Sequence, residues 1–113
     1  MPRVFLPDGN ANEAIVKRGD FSIRMSPAEV DKATYIVGIA LSMETLDSVP
    51  SHITNSPFVV RFFENDMLAL ERNDSKGSVP FSFQEGDELI TTLQQARSIT
   101  INDRMLSKRP GMR

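Results

Sequence analysis

Apolar residues near the start of the chain come in short runs. Arg3–Leu6 and Ala14–Lys17 are separated by Pro7-Asp8-Gly9-Asn10 and closed by Arg18-Gly19-Asp20, both rich in turn-forming residues. Phe21, Ile23 and Met25 then alternate with Ser22 and Arg24, the period of a strand with one buried face. This pattern predicts a meander of three short strands.

At Ser26 the period changes to that of a helix. Ser26 can accept from the amide three residues on, Pro27 occupies the first helical position, and Glu29 can reach back to close a capping box. Met25 and Val30 stand where a hydrophobic staple needs them. The helix is predicted to run to about Leu46 or Asp47, since Val49-Pro50 disfavours helical geometry beyond it. Val30, Ala33, Val37, Ala40 and Leu41 form its apolar stripe, and Ile36, Ile39 and Met43 widen that stripe past one face. Thr34, Gly38 and Ser42 make a row of small residues at every fourth position, over which another backbone can approach closely.

Residues 48 to 57 read as a Ser/Pro-rich crossing loop. Phe58–Phe63 and Met67–Arg72, joined through Glu64-Asn65-Asp66, predict a β-hairpin. After a turn at Asn73–Gly77, Val79, Phe81 and Phe83 share the face of a further strand, and Pro80 marks that strand as an edge or a bulge. Glu85, Asp87 and Glu88 crowd the start of a second helix from about Gln84, with Leu89, Ile90, Leu93 and Ala96 as its buried stripe and Arg97 in its last turn. Ser98-Ile99-Thr100-Ile101 alternates and predicts a final short strand.

The expected architecture is therefore α+β: two short antiparallel meanders, each followed by an amphipathic helix, in a βββα-βββα-like order with the helices packed on the sheet. Phe21–Met25 with its helix parallels Val79–Phe83 with its own. That parallel fits either an internal duplication or the general look of strand-to-helix junctions.

Composition changes this picture little. The 113 residues fit one domain, read as 1–102 with a basic tail at 103–113, where Arg104, Lys108, Arg109 and Arg113 outweigh Asp103. The formal net charge of −2 thus divides into +3 on the tail and −5 on the body, and a mildly acidic body argues against a large nucleic-acid footprint. With no cysteine, thiol nucleophiles, thiolate metal sites and disulfides are excluded. No run reaches the ~18 apolar residues of a membrane span, and the first residues hold too short an apolar run for a signal peptide. A soluble, cytoplasmic protein is the expectation.

Candidate chemistry is sparse. The single histidine, His52, has no cysteine beside it and reads as a loop residue. Asp8-Gly9-Asn10-Ala11-Asn12-Glu13 begins like a calcium loop, but Glu13 stands where the sharp turn needs glycine and Gly19 where the bidentate glutamate belongs. Neither glycine-rich phosphate signature occurs. No cofactor, metal or catalytic set is implied. The stretch from Lys76 to Ala96, a short strand leading through polar residues into an amphipathic helix, resembles in pattern the end of the whirly-type single-stranded DNA-binding fold. That likeness spans about a fifth of the chain, carries no identifying motif and assigns no family.

Two functional readings follow. In the first, the chain is a non-enzymatic interaction or assembly protein that self-associates through Thr34, Ile36, Gly38, Ile39, Ser42 and Met43 of the first helix. In the alternative it binds single-stranded nucleic acid through a basic and aromatic hairpin, Arg61, Phe63, Arg72 and Lys76, together with Arg104, Lys108 and Arg109 of the tail. The first implies a homo-oligomer or a protein partner, and neither involves a membrane.

Overall fold

The computed structural model describes residues 4–42, 48–49, 57–74 and 76–107. Their elements are β1 (Leu6–Asn10), β2 (Glu13–Arg18), β3 (Phe21–Met25), α1 (Pro27–Ser42), β4 (Ser48–Val49), β5 (Phe58–Phe62), β6 (Met67–Arg72), β7 (Ser78–Ser82), a single 3-10 turn at Phe83–Glu85, and α2 (Gly86–Ser107). The seven strands form one antiparallel sheet in the order β1-β2-β3-β7-β6-β5-β4, so the expected α+β class and the packing of helices on a sheet are what the structure has.

Alternation on the strands decides the layers. Ala14, Val16, Ile23, Met25, Phe58, Val60, Leu68, Leu70, Val79 and Phe81 point to one face, where they join Val30, Ala33, Ile36, Val37, Ala40, Leu89, Leu93 and Ala96 of the helices in a single buried cluster. Each helix covers strands of the other half of the chain. α1 lies chiefly over β5 and β4, and α2 over β1 and β2.

The predicted start of α1 is present in full. The Ser26 backbone N–H donates to Glu29 Oε1 at 2.8 Å, the Glu29 N–H donates to Ser26 Oγ at 3.2 Å, and Met25 and Val30 are both buried. A second capping box, unread in the sequence, opens the 3-10 turn into α2. Ser82 N–H donates to Glu85 Oε1 at 2.9 Å and Glu85 N–H to Ser82 Oγ at 3.2 Å.

Four expectations need correction. Pro7–Asn10, read as a turn, is most of β1. Pro7 is tolerated because β1 ends the sheet, and Gly9 takes φ +149° where an added Cβ would stand 2.5 Å from the Glu13 carbonyl oxygen. Ser48 and Val49, read as loop, pair with Arg61 and Val60 as β4; residues 50–56, including His52, lie outside the described residues. Pro80 is not on an edge. β7 lies centrally between β3 and β6, but β3 and β7 share only the pair Ser22 and Ser78. Arg18 Nη1 donates to the Pro80 carbonyl at 3.0 Å on that seam. Since a residue's N–H and C=O point the same way in an antiparallel sheet, the missing N–H faces a place where no strand hydrogen bond is made. Finally, Ser98–Ile101 is helical. Thr100 is buried in phase with Leu89, Leu93 and Ala96, and its hydroxyl donates to the Arg97 carbonyl at 2.6 Å, satisfying it within the helix.

The parallel between the halves extends to three dimensions. The order β1-β2-β3 is mirrored by β5-β6-β7 about the seam, and one constant spacing carries Ser22 to its partner Ser78, Ser26 to Ser82, Glu29 to Glu85 and Ala40 to Ala96. The arrangement is a local twofold whose axis passes the Ser22–Ser78 pair. It is sealed by two matching clasps. Arg18, at the end of β2, holds Glu85 (2.6 and 3.3 Å), accepts the Phe5 ring beneath its guanidinium (5.5 Å) and donates to the carbonyl two residues before Ser82. Arg72, at the end of β6, holds Glu29 (3.0 Å), lies over Phe58 (5.4 Å) and donates at 2.9 Å to Arg24, two residues before Ser26. Asp74 adds further contacts to Arg72 at 3.3 Å.

Burial alone would raise both glutamates. For Glu29 the Arg72 guanidinium and the Ser26 amide outweigh it, and for Glu85 the Ser82 amide and Arg18 do, so both carboxyls are held below their ordinary 4.5. Groups depressed on folding add stability that is complete above the unfolded value and is lost as pH falls through the folded one. Thermal melts are thus expected to be flat from neutrality down to about pH 5 and to drop below 4.5. In the Glu29→Gln, Glu85→Gln double variant the acid-side drop is expected to flatten from a lower plateau. Arg72→Ala should cost about 1.5–3 kcal/mol in urea unfolding, as it strands Glu29 and uncovers Phe58. Arg61→Ala, which breaks only an exposed cross-strand pair with Glu71, should cost under about 1 kcal/mol.

Candidate functional site

α1 is too apolar for one face, and the core absorbs most of the excess. Val30, Ala33, Ile36, Val37 and Ala40 are buried. Ile36, expected at an interface between subunits, is thus a core residue of its own chain, because the helix sinks deep enough to bury two adjacent positions. Met43 lies outside the described residues.

The rest of the predicted set does come together. Thr34, Gly38, Ile39 and Ser42 line an open groove of about 550 Å³ with Tyr35 and with Ile90 of α2. Its lining is overwhelmingly apolar for a sequence reason. Thr34 and Ser42 turn their hydroxyls back onto the carbonyls of Val30 (2.9 Å) and Gly38 (3.0 Å), which removes their polarity from the surface. Tyr35 is 64% exposed beside it. An added Cβ at Gly38 would meet nothing within 4 Å, so no part of the described chain requires that glycine.

The local twofold supplies an internal reference. Tyr35, Gly38 and Ile39 of α1 correspond to Thr91, Gln94 and Gln95 of α2, all exposed and polar. These three positions are polar in α2 and not in α1, while the same spacing pairs Thr34 with Ile90, which lines the same groove, and Ser42 with Ser98. Leu6 and Phe21 are exposed as well, but alternation places them on opposite faces of the sheet, so they form no common patch.

The hairpin set fares differently. Arg61 donates to Glu71 at 2.7 Å, and Arg72 is the clasp residue, only 14% exposed and held by Glu29 and Asp74. Phe63 is 55% exposed beside a tight turn in which Asn65 and Asp66 both have φ near +60°. Lys76 is exposed, with its backbone N–H bound to Asp74. Arg104 lies on the helical backbone of α2, while Lys108 and Arg109 lie outside the described residues. The structure thus leaves two of the hairpin's cations already engaged by carboxylates and does not gather the full set.

A polar cleft of about 370 Å³ lies beside the Arg72 clasp, lined by Asn12, Glu13, Arg24, Ser26, Glu29, Asp74 and Lys76 among others. Arg24 faces Glu13 at 3.3 Å there, so the cleft mixes both charges in pairs that hold its own walls. Among the described residues no group of three His, Cys, Asp or Glu is placed to hold a metal ion, and no described helix is long and apolar enough to cross a membrane. Compared with protein-family models, curated proteins and solved structures, the chain matches none.

Sequence reasoning missed the second capping box and both clasps. The signal for the box was available: Ser82-Phe-Gln-Glu85 repeats the Ser-x-x-Glu spacing of Ser26 and Glu29. Because nothing within the described chain packs on Gly38, Gly38→Ala is expected to raise the stability of the isolated subunit by about 1 kcal/mol through helix propensity, measured by urea unfolding at high dilution.

Proposed function

We propose that this chain is a non-enzymatic assembly protein that self-associates through the groove on α1. The observation that carries the reading is the contrast between matched positions: Tyr35, Gly38 and Ile39 make an apolar surface where Thr91, Gln94 and Gln95 make a polar one. Exposed apolar surface of this kind raises the cost of staying solvated, and burying it against another subunit is the direct relief. Gly38 adds access, since its open side lets another main chain or a large side chain approach the helix closely. The nucleic-acid reading has less behind it, because Arg61 and Arg72 already serve Glu71, Glu29 and Asp74.

Sedimentation velocity over a range of protein concentrations tests the proposal. The wild type is expected to associate, and Tyr35→Glu and Gly38→Leu to lower the assembled fraction at least tenfold while their circular dichroism stays that of the parent. A wild type that sediments as a monomer throughout rejects the proposal.

A further inference from the structure

The local twofold places β1 and β5 at matching positions, each the third strand out from the seam, yet the two differ in what lies beside them. β5 is covered by β4, which pairs with it at Val60 and Arg61. β1 is the terminal strand of the described sheet, with β2 on one side and no described strand on the other. Their sequences differ accordingly. The covered strand is Phe58-Val59-Val60-Arg61-Phe62, rich in aromatic and β-branched residues, whereas the uncovered one is Leu6-Pro7-Asp8-Gly9-Asn10, made largely of residues that strands disfavour. An uncovered strand ordinarily offers its outward N–H groups to any second strand that arrives.

On β1 those donors are missing. N–H groups alternate in direction along a strand, and Pro7 stands where the lack of one takes nothing from the ladder with β2, so residues 5, 7 and 9 direct their main-chain groups to the open side. Pro7 has no N–H to offer. That of Gly9 donates to Asp8 Oδ1 at 2.7 Å, and that of Phe5 donates to Glu88 Oε2 at 3.1 Å. The other oxygen of Asp8 is held by Lys17 Nζ at 2.9 Å, which steadies the carboxylate over the Gly9 amide. We infer that β1 is an edge closed to strand addition, and that Pro7 and Asp8 are the residues that keep a second copy of this chain from extending the sheet there. Only carbonyl oxygens remain on that side. An arriving strand would find no donors for its own carbonyls, and carbonyls buried without a partner oppose docking. The turn-forming residues that disguise β1 in the sequence are thus the ones its position requires, and association between copies is left to surfaces other than this edge.

The test is sedimentation velocity of full-length chains that all carry Tyr35→Glu, so that the outcome does not depend on whether copies meet through α1. Three are compared: this parent, the parent with Lys17→Ala, and the parent with Pro7→Val and Asp8→Ala together. Pro7→Val restores an outward N–H and Asp8→Ala uncovers that of Gly9, whereas Lys17→Ala breaks the same ion pair and leaves Asp8 over the Gly9 amide. The paired variant is expected to raise the assembled fraction at least tenfold over the parent, to keep the parent's circular dichroism, and to slow amide hydrogen exchange at positions 7 and 9 at least tenfold as it assembles. Lys17→Ala is expected to sediment as the parent does. Should the paired variant fold poorly, Asp8→Ala alone is read in the same way at position 9. A folded variant that sediments like the parent overturns the inference. So does assembly that leaves those amides exchanging as fast as in the dilute chain, or Lys17→Ala assembling to the same extent.

Discussion

In both halves of the chain a single glutamate oxygen does two jobs. Oε1 of Glu29 and Oε1 of Glu85 each accept from the backbone that opens their own helix and from an arginine of the opposite half. Much else depends on that double use. The seam between β3 and β7 holds one strand pair, so the sheet is weakly stitched at its middle. The clasps secure the same junction from either side, each with a guanidinium laid over a phenylalanine, Phe5 just before β1 and Phe58 at the start of β5. They also fix where each helix begins, and from there each helix runs over the strands of the other half.

What could be read from the sequence follows from how far apart the interacting residues lie. The Ser26 start was legible because its cap, its proline and its staple are neighbours in sequence. The β5–β6 hairpin was legible because its turn and its alternation are contiguous. β1 was hidden by Pro7 and Gly9, whose turn propensity is overridden once an edge strand needs no inward N–H from Pro7 and a close crossing at Glu13 suits Gly9. The last turns of α2 were hidden by Ile99, Thr100 and Ile101, whose β-branching reads as strand until Ala96 and Thr100 are counted in helical phase. Pro80 misled because the residue that fills its seam, Arg18, is remote in sequence. The groove was half legible: the small-residue row pointed to it, yet Ile36 could not be told from Ile39 without knowing how deeply α1 settles.

The matching order of the two halves also makes surfaces comparable that would otherwise have no standard. Exposed Tyr35 or Phe63 alone would be unremarkable on a small protein, since much of any folded surface is apolar. Against Thr91, Gln94 and Gln95 at the matched positions, Tyr35 marks a place where the two halves differ. The clasps mark where they agree.

The exchange of helices between halves has a consequence for the order in which the chain can take shape. β1 and β2 leave the ribosome early, but their cover, α2, is among the later segments made. Glu88 adds to the dependence, since its carboxylate receives the N–H groups of Val4 and Phe5 at 2.8 and 3.1 Å. Until α2 has emerged the first meander has neither its roof nor its anchor. This small domain is therefore one whose earliest-made strands must wait, uncovered, for its last-made helix.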